Sequence, residues 1–70
     1  MIPSTQEVLI YREGAEKPDS VPWGTLYEEN KHDPAWIREV EDALNNDRDW
    51  EDPAGHDGIL RIALSRIWRE

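Results

Sequence analysis

Carboxylates are the side chains of this chain with the most chemistry to offer. Its 70 residues include 16 Asp and Glu against 8 Lys and Arg, a formal net charge of −8. Between Glu28 and Asp57 there are 11 acids and 3 bases, so that stretch alone carries 3 − 11 = −8, while 5 acids and 5 bases outside it cancel. Carboxylates at this density could ligate a hard cation, act as a general acid and base, or present a negative surface to a basic partner.

The cation reading is tested at Asp47, Asp49 and Glu51, which would open a calcium loop at its first, third and fifth positions. The sixth position of such a loop needs a sharp turn and the twelfth a bidentate Glu. Here they are Asp52 and Gly58, and Pro53 stiffens the loop further. No metal site and no cofactor are expected. Acid–base work needs a carboxyl with a raised pKa, which solvated acids rarely have. His32 sits beside Asp33 and His56 in a Gly/Asp turn, and both read as ordinary surface histidines. Ser4, Ser20 and Ser65 stand in no nucleophile motif, and no Gly-rich phosphate loop is present. No catalytic residue is assigned, and an enzyme is not expected.

The third use remains. Duplex DNA presents one negative charge per about 1.7 Å of its axis. A helix face with Glu39 and Asp42, continued by Asp47, Asp49, Glu51 and Asp52, could imitate part of such a row and fill a basic groove. The plainer use of these acids is a solubilising face. Trp50 stands among Asp49, Glu51 and Asp52, and it has two readings. It folds back to cap a small core, or it is an anchor exposed within the acidic patch, since tryptophan is enriched among interface hot spots. The same charge repels phosphates, so direct nucleic-acid binding is not expected.

Positioning these residues requires a fold. Glu7–Arg12 is rich in β-branched and aromatic residues and ends before Gly14, which predicts a strand. Ser4 and Glu7 also fit a capping box, the competing helical reading. Residues 14–22 carry Gly, two prolines, Asp and Ser and read as loop. Residues 23–28 alternate Trp23, Thr25 and Tyr27 against Leu26 and read as a second strand. Asp33 as N-cap and Pro34 at the first helical position predict a helix over 34–46, with Trp36, Ile37, Val40, Ala43 and Leu44 on its buried face. Residues 47–56 read as a polar connection. Asp57 as cap and the stripe Ile59, Leu60, Ala63, Leu64 and Ile67 predict a last helix over 58–69, with Ile62, Arg66 and Arg69 off its core side.

The expected fold is a single α+β domain spanning 1–70, an N-terminal two-stranded hairpin packed on two α-helices, with an all-α three-helix fold as the alternative. The absence of cysteine removes disulfides and thiolate metal sites, and it favours the cytoplasm. The first residues lack the basic and apolar runs of a signal peptide. The longest apolar run, residues 8–11, is far below the ~20 needed to span a bilayer, so no membrane association is expected.

In length, acidity, tryptophan content and lack of cysteine or catalytic motif, the chain resembles the small acidic proteins with which phages counter host defences, anti-CRISPR proteins among them. The resemblance is one of type and transfers no site. It implies a stoichiometric inhibitor that occupies a basic groove on a nucleic-acid-handling protein. The alternative is an accessory or antitoxin-like subunit that binds through the Ile62, Arg66 and Arg69 side of the last helix. Oligomeric state is not readable from the sequence.

Overall fold

A computed structural model describes residues 2–65. Their elements are β1 (Glu7–Arg12), β2 (Asp19–Pro22), α1 (Trp23–Asn30), α2 (Pro34–Asn45), β3 (Trp50–His56) and β4 (Ile59–Leu64). The strands form one antiparallel four-stranded sheet in the order β2-β1-β4-β3. The fold is α+β, but the expected hairpin on two helices is overturned, and so is the all-α alternative. The sheet's two central strands come from opposite ends of the sequence.

The largest correction lies after residue 56. Asp57 and Gly58 have φ of 52° and 82°, the left-handed pair of a two-residue hairpin turn, and His56 pairs with Ile59 across it. Asp57 is therefore a turn residue and not a helix cap. Ile59, Leu60, Ala63 and Leu64 share a helical stripe, but Ile59 and Ile62 are β-branched, and β1 offers a strand edge for them to pair with. Residues 66–69 of the expected helix lie outside the described residues.

The second correction concerns residues 19–30. The chain pairs with β1 only over Asp19–Pro22, inside the expected loop. It then turns directly into α1, where Trp23 and Leu26 are buried one helical turn apart while Tyr27 is exposed. Pro22 precedes the helix with φ −66° and ψ 145° and provides no side-chain cap. The N-terminal segment takes over that role, because Trp23 N–H donates to the Gln6 carbonyl (2.7 Å) and Gly24 N–H to the Ser4 carbonyl (2.9 Å). A Cβ on Gly24 would come within 3.0 Å of Ser4 Cβ, so the glycine permits this approach.

β1 and α2 follow the sequence closely. Asp33 accepts from the Trp36 N–H (3.3 Å) and Pro34 opens the helix. Trp36, Ile37, Val40 and Leu44 are buried, with Ala43 packed against them. One core unites these with Val8, Ile10, Trp50, Ile59 and Ile62 from the sheet and with Trp23 and Leu26 from α1. Both helices thus cover the same face of the sheet. Strand alternation puts Leu9, Tyr11, Glu51 and Arg61 on the opposite face, where the Arg61 guanidinium lies 5.1 Å from the centre of the Tyr11 ring.

Candidate functional site

The acidic residues singled out above come from α2, the turn after it and the edge strand β3. Arg38, Glu39 and Asp42 are exposed on the outer side of α2, and Asn45 and Asn46 are exposed at its end. The helix closes by donation from Arg48 N–H to the Ala43 carbonyl (2.9 Å) and from Asp47 N–H to the Leu44 carbonyl (3.1 Å). Asp47 has φ 61°, the left-handed residue this type of helix end requires. So tight an exit returns the chain at once to the sheet, and β3 runs beside α2.

Trp50 fixes that relation. It is 4% exposed, and its ring meets Trp36 edge to face at 5.6 Å and 84°. Its indole Nε1–H donates to Glu39 Oε1 at 3.1 Å, tying helix to strand. The anchor reading of Trp50 is corrected: the indole is in the core, and what it brings to the surface is the position of Glu39. Tryptophan fits here because it combines a large apolar ring with one donor that reaches a partner at the boundary.

The remaining carboxylates differ in how free they are. Asp49 is half-buried and accepts from Arg61 Nε (2.9 Å), with Arg61 Nη2 also bonded to the same oxygen. This pairing, mainly the hydrogen bond and then the charge of Asp49, raises the Arg61 pKa above its ordinary value. A raised cation stabilises the fold below its unfolded pKa and loses that effect only as pH climbs through the folded value. Arg61 therefore keeps its cation throughout the neutral range. Glu51 stands opposite Arg61 in register and is exposed. Asp52 Oδ1 accepts from the Ala54 N–H (3.0 Å), which together with Pro53 closes part of the outer edge of β3 to strand addition.

The structure thus places Glu39 and Asp42 on the outer side of α2, Asp47 exposed at the turn after it, and Glu51 with the Asp49–Arg61 pair on the sheet face turned away from the helices. Asp52 is half-buried further along β3, and Trp50 lies in the core between helix and strand. The residue missed by sequence reasoning is Arg61, which neutralises Asp49. Placing it on a helix hid its alignment with β3. Ile62 is fully buried in the sheet, so the apolar contact expected there is overturned; Arg66 and Arg69 lie outside the described residues.

His56 is also corrected. It is half-buried, stacks on Trp36 at 4.5 Å and 12°, and its Nε2 lies 3.4 Å from Asp33 Oδ2. Imidazole, cap and indole thereby lock the end of β3 onto the start of α2. His32 is exposed. Among the described residues no three His, Asp or Glu side chains gather as a metal site, and no helix is long and apolar enough to cross a membrane.

No protein-family model, curated protein or solved structure matches this chain.

Proposed function

We propose that the protein is a non-catalytic cytoplasmic binder that occupies the basic, nucleic-acid-binding surface of a protein partner, as phage anti-defence inhibitors do. The observation that supports this reading is the Glu39–Trp50 hydrogen bond, which ties the acid-bearing helix α2 to the acid-bearing edge strand β3. Glu39 and Asp42 are three residues apart, about 4.5 Å along a helix axis. Asp49 and Glu51 are two apart, about 6.6 Å in extended chain. Backbone phosphates of one DNA strand advance by about 3.4 Å per nucleotide along the axis, so the spacings are of the same order. Glu39, Asp42, Asp47, Glu51 and Asp52 make the charged contact, Asp49 contributes less because it pairs with Arg61, and Trp50 supports from the core.

The test is retention of a partner from a lysate of the source cells on the immobilised protein. The reading expects a retained protein that duplex DNA or RNA displaces. Retention should also fall by about tenfold or more between roughly 50 and 200 mM salt, as for phosphate-like contacts. The Asp42→Lys/Glu51→Gln variant, altered at two exposed positions, should retain none of it. Retention indifferent to nucleic acid, or unchanged in that variant, refutes the reading.

A further inference from the structure

The net charge hides a place where the surface is neither acidic nor polar throughout. The C-terminal half of α1 and the first turns of α2 enclose a half-open groove of about 170 Å³ lined by Tyr27, Lys31, Pro34, Ile37, Arg38 and Glu41. Tyr27 is 45% exposed, the only exposed large hydrophobic side chain among the described residues. Its ring, Pro34 and Ile37 make an apolar lining. Two of the three bases of the acidic stretch, Lys31 and Arg38, meet here. Lys31 bonds to Glu28 (3.2 Å), but Arg38 has no ion pair among the described residues, although Glu41 stands one helical turn away.

Volume limits what can enter. A cavity of about 150 Å³ accommodates one benzene ring, whereas pockets for nucleotides and drug-sized ligands run to about 300–1,000 Å³. A single ring therefore fills the groove. The unpaired guanidinium calls for a planar oxyanion, which its fork binds in a bidentate manner. Glu41 opposes a second negative charge. We infer that this groove binds a small aromatic monocarboxylate, its ring against Tyr27, Pro34 and Ile37 and its carboxylate on Arg38, with Lys31 adding charge. The groove adjoins the acidic residues of α2, Asp42 lying four residues beyond Arg38, but its occupation does not depend on the partner proposed above.

The experiment is a titration of the intact chain with benzoate, followed by backbone amide and Tyr27 ring NMR shifts. A half-open site for so few atoms should give saturable shifts with a Kd on the order of 1 mM. They should be confined to Tyr27, Lys31, Ile37 and Arg38. Benzyl alcohol, which keeps the ring and drops the charge, and acetate, which keeps the charge and drops the ring, should each bind at least about fivefold more weakly. Arg38→Gln should lose at least about fivefold in affinity with an otherwise unchanged spectrum, and Glu41→Gln should bind benzoate more tightly. Shifts that do not saturate by about 20 mM, that map elsewhere, or that are the same in Arg38→Gln overturn the inference.

Discussion

Glu39 is exposed, yet its first task is structural: its carboxylate accepts a hydrogen from the core, the Trp50 indole N–H. A buried donor left without a partner costs about 1–3 kcal/mol. Glu39→Ala should therefore lower unfolding stability by about that amount, although the residue replaced is on the surface. Glu39→Gln keeps a carbonyl oxygen at the same reach and should recover most of the loss. Chemical denaturation read by tryptophan fluorescence measures both. Equal losses in the two variants would show that charge, and not acceptance, is what Trp50 needs. Trp36 differs from its neighbour in this respect, because its own indole Nε1 is buried without a hydrogen-bond partner. The stacked His56 and the edge-on Trp50 hold that ring by packing alone.

At the scale of elements, glycines decide two junctions. Gly24 lies in the first turn of α1, where alanine would ordinarily favour the helix by about 1 kcal/mol. The contact with Ser4 opposes that gain, because the added carbon would also lie 3.2 Å from the Ser4 carbonyl oxygen. That oxygen is fixed by its bond to Gly24 N–H, so Gly24→Ala should destabilise by about 1 kcal/mol. Gly58→Ala meets no neighbour but must adopt φ +82°, which should cost about 1–2 kcal/mol. Thermal melts test both, and a higher melting temperature for either variant contradicts the stated role. These junctions also show what was legible in the sequence. β1 and α2 could be read because their signals are local: an apolar β-rich run, and a cap followed by proline and a one-sided stripe. The Asp57–Gly58 turn was equally local, but Asp before an apolar run also resembles a helix cap, and the stripe that follows fits both periods. β2 was unreadable for another reason, since four residues with proline at one end become a strand only because β1 lies alongside. The acidic edge was half legible. Its members follow from composition, while the pairing of Asp49 with Arg61 and the burial of Trp50 depend on a hairpin that residue spacing did not reveal.

For the whole molecule the question is why one stretch of chain, residues 28–57, should carry so much like charge. α2 has no acid in its first turn and no base in its last, so its carboxylates do not complement the helix dipole. Asp42 sits in the C-terminal half, near the negative end, one turn after Glu39. A net charge of −8 on a 70-residue chain adds repulsion that weakens as salt shortens the Debye length to about 10 Å at 0.1 M. A face kept only for solubility has no need to concentrate charge in this way, since interspersed signs serve that purpose without repulsion. A face kept for a basic partner does need it, and function then opposes stability. Asp42→Lys separates these accounts. It places a cation near the helix C-terminus and relieves repulsion, so it should stabilise the fold by about 0.5–1 kcal/mol at low salt and by less at high salt. On the binding account the same change weakens partner retention. On the solubility account retention is untouched while stability still rises. Melting curves at two salt concentrations, set beside retention of the partner, decide between them, because only an interface loses affinity as its fold improves.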